Sequence, residues 1–259
     1  MSNTSSWLVT YRRNPSADRR VVCFPHAGGS ASFYRAWAGH IGPDVELQVV
    51  QYPGRESRIT EPLMGSMGEL AAGAAEALGA DRSRETILFG HSMGAAVAYE
   101  SLRLLEAAGT SRVTRLCVSG RELAEFSETV DSEPVDPGPR GDDDLLATMA
   151  DLGGTRSAVL DDPDLRAMVL DIIRNDYHLL DTYRPDPSAA PVRADVVALT
   201  GDRDPRVDVA KVKAWESVTT GAFSLRVFPG DHFYLTSHVR SLLEIATARQ
   251  RDRPGPAAS

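Results

Sequence analysis

Short apolar runs separated by longer amphipathic stretches restrict this chain more than any other feature, because a parallel sheet with crossover helices buries such runs on both faces. The runs are VVCF (21–24), LQVV (47–50), TILFG (86–90), RLCVSG (115–120), VVALT (196–200) and SLRVF (224–228). Helical periodicity falls between them, around 66–78, 93–108, 208–217 and 235–248, the second stretch being rich in Ala and Leu. The N-terminal WLVTY adds a candidate edge strand. One α/β core is therefore expected over about 7–120 and 191–248.

The rhythm breaks between Gly120 and Pro191, where no convincing buried strand occurs. The first part of this insertion, about 122–144, is acidic and carries Pro134, Pro137 and Pro139, so it reads as an irregular connection. Leu145, Leu146 and Met149, and then Leu165, Met168, Val169, Ile172 and Ile173, recur at helical spacing and predict at least two amphipathic helices. Helices inserted beyond the carboxyl end of a strand commonly cover active sites, and 121–190 is read as such a lid. The polar, Pro-bearing end, 249–259, is expected to fray.

Composition narrows the function. A chain of 259 residues with 42% hydrophobic and 25% charged residues fits one globular domain with an excursion, not a disordered chain. The net charge of −8 argues against nucleic acid or an anionic membrane surface as the main partner. No run approaches the roughly 20 apolar residues of a membrane span, and MSNTSSWLVTYRRNP lacks the apolar centre of a signal peptide, so the cytoplasm is the expected compartment. Cys23 and Cys117 sit inside apolar runs and read as buried free thiols. No Cys/His cluster has metal-ligand spacing and no Gly-rich phosphate loop occurs, so neither metal nor cofactor is expected.

The chemistry concentrates at the ends of the predicted strands. Gly90-His91-Ser92-Met93-Gly94 follows TILF and opens the helix AAVAYESLRLLEAAG, the strand-turn-helix context in which G-x-S-x-G forms a nucleophile elbow. The glycines allow the sharp turn, and the turn presents the Ser92 hydroxyl at a helix N-terminus, with the Met93 N–H aimed at a developing oxyanion. Phe24-Pro25-His26-Ala27-Gly28-Gly29 directly follows VVCF and occupies the loop that supplies a second oxyanion donor, here the Ala27 amide. Gly201-Asp202-Arg203-Asp204 closes VVALT, and Gly230-Asp231-His232 follows SLRVF, so an acid and a histidine each lie just past a strand. The chain order Ser, Asp, His is that of α/β-hydrolases, in which imidazole takes the serine proton and the carboxylate orients the imidazole. Asp202 and Asp204 both follow the strand. The acid commonly ends a G-x-x-D turn, which favours Asp204 and leaves Asp202 to brace the turn. His91 faces wrongly for a base, and His40, His178 and His238 fall on helices or their ends.

FPHAGGSASFYRAW, QYPGRESR, GHSMGAAVAYE, VSGR, TYRPDP, TGDRDPRV and GDHFYL together resemble the type II thioesterases that accompany polyketide and nonribosomal peptide synthases, over about 21–235. The resemblance implies an α/β-hydrolase fold with a mostly parallel sheet flanked by helices and a helical lid. It also implies Ser92 as nucleophile, His232 as base, Asp204 as its orienting acid, and Ala27 and Met93 as oxyanion amides. The activity it implies is removal of aberrant or stalled acyl groups from the phosphopantetheine arm of an acyl or peptidyl carrier protein. Asp231 stands where a second glycine is common, and VSGRELAE departs from the usual arginine-proline continuation. A chain-releasing thioesterase or a general carboxylesterase would use the same triad. A free-standing monomer is expected, with no nucleic-acid or membrane partner, and its acid excess confines carrier docking to a local basic or apolar patch.

Overall fold

The computed structural model describes residues 6–123, 141–142, 145, 163–186 and 188–249. The acidic connection over 124–140, the predicted helical positions Leu146 and Met149, and the tail from 250 onward lie outside the described residues.

The described chain forms a seven-stranded sheet in the order β1-β3-β2-β4-β5-β6-β7. Its strands are β1 (Leu8–Arg12), β2 (Arg19–Phe24), β3 (Val45–Val50), β4 (Glu85–His91), β5 (Val113–Ser119), β6 (Asp195–Gly201) and β7 (Phe223–Phe228). The expected edge strand is β1, which pairs antiparallel with β3 from Leu8 opposite Val50; every other neighbouring pair is parallel. Each apolar run is a strand; those of β2 to β6 have a core to enter on either face, while β7 at the sheet edge is only partly buried.

Along β2 and β4, Val22 and Leu88 point to one face, where they pack with Leu70, Ala74 and Leu78 of α1 (Met67–Gly79) and Ala98 and Leu102 of α2 (Met93–Ala107). Val21, Cys23, Ile87 and Phe89 point to the other, against Tyr34, Trp37 and the buried Leu242 and Leu243 of α5 (Val239–Thr247). Helix α1 starts where the Ser66 hydroxyl accepts from the Glu69 N–H, a cap that satisfies one otherwise orphaned donor.

Two helical readings change in detail. The stretch around 208–217 is a short α4 (Val209–Val212), capped by Asp208, that tightens into a 3-10 helix over Lys213–Val218. Trp215 is fully buried and its indole N–H donates to the Arg121 carbonyl at 2.8 Å, so a tertiary anchor overrides the α-helical pattern. The last helix starts at Val239 rather than 235, because the preceding residues form the turn that carries His232 and a short 3-10 segment, Tyr234–Thr236. The insertion supplies α3 (Pro163–Thr182), the helix expected from Leu165 to Ile173. Among the described residues no helix is long and apolar enough to cross a membrane.

Cys23 and Cys117 are buried free thiols, both in the core cluster opposite α1 and α2. Burial pushes both thiols up, that of Cys117 to about 12. Because the thiolate is the reactive form, a chromogenic disulfide reagent at pH 8 should react with neither cysteine in the folded protein and with both in denaturant. Rapid reaction in the folded state would contradict this packing.

Candidate active site

The elbow is built by close approach. A Cβ on Gly94 would lie 2.0 Å from the Phe24 carbonyl oxygen, and one on Gly90 2.2 Å from the Gly94 carbonyl oxygen, so α2 reaches β2 and β4 at distances only glycine permits. Ser92 between them has φ 54° and ψ −117°, a strained left-handed conformation held because the flanking strand and helix are both buried. Its N–H donates to the Ser119 carbonyl at 2.8 Å, fastening the turn to the end of β5. Met93 is the first residue of α2, so its N–H has no partner within the helix and points out of the helix N-terminus.

The loop after β2 is held from several sides. The Tyr34 and Tyr52 hydroxyls donate to the carbonyls of Phe24 and Pro25, at 3.3 and 3.2 Å. The Gly29 N–H donates to the His26 carbonyl at 2.9 Å, and the Gly28 N–H to a carboxylate oxygen of Asp176 at 2.8 Å. Among the described residues no acceptor meets the Ala27 N–H.

His232 Nδ1 lies 2.6 Å from Asp204 Oδ2, with both side chains buried. A carboxylate acceptor at Nδ1 fixes the proton there and leaves Nε2 to act as a base. The other Asp204 oxygen accepts from the Arg206 N–H at 3.0 Å. Asp202 instead accepts from the Gly230 N–H at 2.8 Å, stitching the two loops together by backbone. The structure therefore brings Asp204, not Asp202, to the histidine.

Two further histidines crowd this site. His26 packs edge-on against Phe33 and Phe233, with ring centroids 4.7 and 4.9 Å away, and His91 stands 4.9 Å from His232. Burial, reinforced by the neighbouring His232, pushes His26 down to about 3 and His91 well below the ordinary imidazole range. Both stay neutral near pH 7. His91 Nδ1 is 3.0 Å from the Ser119 hydroxyl, which is 2.7 Å from the Tyr234 hydroxyl, so His91 belongs to a buried bracing network. His40 ends the 3-10 helix Ala31–Gly39, His178 is exposed on α3, and His238 Nε2 lies 3.0 Å from the Pro229 carbonyl, all outside the cleft described next.

Ser92 and His232 open into one cleft of about 280 Å³, walled by Arg121, Val207 and, from α3, Tyr177 and Leu180. The inserted helix thus covers the serine as one wall. Among the described residues no cluster of ligating side chains could hold a metal ion. Sequence reasoning assigned nothing to Arg55 or Asp176. Arg55 stands in the quoted QYPGRESR segment, whereas Asp176 is one of four aspartates on α3 and nothing in the sequence sets it apart.

A strained serine at a helix N-terminus, facing a buried imidazole that is itself oriented by a carboxylate, is the working layout of serine hydrolases, and on this sheet order it places the chain among the α/β-hydrolases. Comparison refines the class: the Thioesterase domain family matches residues 19–249, and the chain belongs to that family of thioester hydrolases. It is 41% identical to the "Probable cadicidin biosynthesis thioesterase" of Streptomyces griseus over 97% of this chain and 68% of that protein. The solved type II thioesterase BorB from the borrelidin biosynthetic cluster superposes with a TM-score of 0.81 at 38% identity, covering 95% of this chain and 98% of its own. YbtT, a type II thioesterase from the yersiniabactin NRPS/PKS biosynthetic pathway, superposes with a TM-score of 0.79 at 29% identity, covering 93% and 96%.

The two aspartates should separate cleanly. Asp204→Asn presents the wrong partner to His232 Nδ1 and should lower kcat by up to about 10⁴-fold with the fold retained. Asp202→Asn should keep activity while losing roughly 1 kcal/mol of stability. Steady-state rates and melting temperatures of both variants check this, and the reverse pattern would hand the orienting role to Asp202.

Proposed function

We propose that this chain hydrolyses acyl thioesters borne on the phosphopantetheine arm of acyl or peptidyl carrier proteins, clearing aberrant or stalled acyl groups from a polyketide or nonribosomal peptide synthase. The observation that carries the reading is the end-to-end similarity to type II thioesterases of such pathways, at 38% identity over 95% of this chain for the borrelidin enzyme. The cleft supports it: Tyr177, Leu180 and Val207 offer an apolar wall to an acyl chain beside Ser92, with Arg121 also lining the space.

In this reading His232 Nε2 takes the Ser92 proton as the hydroxyl oxygen attacks the thioester carbonyl. The Ala27 and Met93 amides receive the oxyanion, a stabilisation that grows only as the tetrahedral centre forms. Collapse expels the pantetheine thiolate, which takes the proton from the imidazolium, and Ser92 is left acylated. Water, deprotonated by the same Nε2, then attacks the acyl-serine, and the second collapse returns the proton to the Ser92 oxygen and frees the acid. Asp204 stabilises the imidazolium in both halves without itself taking the proton.

Ser92→Ala should fold normally and lose on the order of 10⁴–10⁶ in turnover. A folded variant keeping a substantial fraction of wild-type rate would overturn the nucleophile assignment. On matched substrates, a thioester of N-acetylcysteamine should be cleaved in clear preference to the oxygen ester, and short acyl groups on carrier protein should be removed with modest chain selectivity. Cyclisation of one full-length chain in preference to these would mark a chain-releasing enzyme instead.

A further inference from the structure

We infer that Asp176 of α3, locked to Arg55, is a positioning residue that holds the loop over 25–29 in the shape that exposes the Ala27 amide to the oxyanion; the inference rests on the reading of that amide as a donor. The loop needs an external hold. Two consecutive glycines follow Ala27, and Gly28 sits at φ 72°, so the segment has several backbone conformations of similar energy. Asp176 and Arg55 grip it at two peptides, Ala27–Gly28 and Gly29–Ser30. One Asp176 oxygen accepts from the Gly28 N–H at 2.8 Å, and Arg55 Nη1 donates to the Gly29 carbonyl at 3.1 Å. The pair is closed by two parallel bonds, from Nη1 at 2.7 Å and Nη2 at 2.8 Å to the two carboxylate oxygens, with both side chains almost wholly buried. Arg55 is braced in turn, since its own carbonyl accepts from the Gln51 amide at 3.1 Å.

Packing alone would hold the loop without orienting it. Ile173, on the same face of α3 as Asp176, already presses on Gly28, where a Cβ would lie 2.7 Å from Ile173 Cγ1. An apolar contact sets a distance, whereas a carboxylate accepting an N–H also sets the plane of the peptide. Holding the Gly28 N–H toward α3 fixes the Ala27–Gly28 peptide on one side of Ala27, while the bond from the Gly29 N–H to the His26 carbonyl holds the His26–Ala27 peptide that carries the Ala27 N–H. Arg55 supplies what a carboxylate beside an oxyanion site requires: its positive charge cancels the negative one that would otherwise oppose the developing oxyanion. A buried ion pair is commonly replaceable by apolar residues without loss of stability, so stability alone does not account for it. The hold also joins the acyl wall to the catalytic loop, because Tyr177 and Leu180, one turn or less along α3, line the cleft.

The test uses the full chain and an acyl-N-acetylcysteamine thioester. Asp176→Asn removes the charge, Arg55→Lys keeps the charge but loses the fork, and the double variant Arg55→Met with Asp176→Leu replaces the pair by apolar groups that spare the fold an unpaired buried charge. The double variant should melt near the wild-type temperature, keep its KM and lose about 10²-fold in kcat, within the range set by an oxyanion donor. Its affinity for a trifluoromethyl ketone analogue, whose adduct carries the oxyanion, should fall by the same factor. Arg55→Lys should retain an intermediate rate. A folded double variant with wild-type kcat and wild-type affinity for the analogue would overturn the inference and leave the pair a structural one. Ser92→Ala run alongside distinguishes the failures: if it is inactive while the double variant is unimpaired, the positioning role alone is wrong, whereas an active Ser92→Ala removes the catalytic reading beneath it.

Discussion

The approach of α2 to β2 at Gly94 is the constraint on which the rest of the site depends. A helix that starts directly at a strand end, with its backbone against the Phe24 carbonyl, forces the linking residue out of every ordinary conformation, and Ser92 absorbs that geometry at φ 54°. Such strain costs on the order of 1–3 kcal/mol and persists only where the surroundings over-determine it. Here β4 and the first turns of α2, Met93–Tyr99, are buried, so no local relaxation is open. The same contact sets the spacing between the Ala27 and Met93 amides proposed to receive the oxyanion, because Phe24 leads directly into the loop that carries Ala27, while Gly94 follows Met93 on the opposite side.

Most of this was legible in the sequence, for physical reasons that differ by element. Strands β2 to β6 announce themselves as apolar runs because both faces of the sheet interior are covered, whereas β7 is an edge strand without a fully buried residue. The elbow is legible because the glycine requirement at positions 90 and 94 is local and absolute. Choosing Asp204 over Asp202 rested on turn geometry and on spacing to His232; the structure sets Asp204 against His232, while Asp202 ties its turn to the Gly230 loop rather than bracing its own turn. What escaped was set by distance. Arg55 and Asp176 are 121 residues apart, and nothing local to either marks it as buried. Likewise the change from α to 3-10 geometry after Val212 depends on where Trp215 can insert its ring, which is a tertiary matter.

The histidine cluster shows how one protonation site is kept distinct from its neighbours. His91 lies in ring contact with both His26 and His232, and of the three only His232 has a carboxylate among the described residues as partner. Burial without an anion leaves the other two neutral, so they contribute aromatic packing and polarity without competing for the proton that the chemistry moves.

Ser119 gives the site a common reference point. Its carbonyl receives the Ser92 N–H, and its hydroxyl contacts both His91 and the Tyr234 hydroxyl, two residues beyond His232. The nucleophile turn and the base loop come from opposite halves of the chain, on either side of the insertion, and would otherwise drift independently as the sheet flexes. Because both are moored to the end of one interior strand, bending or twisting of the sheet carries them together, so their separation does not depend on the helix that lines the cleft from the insertion.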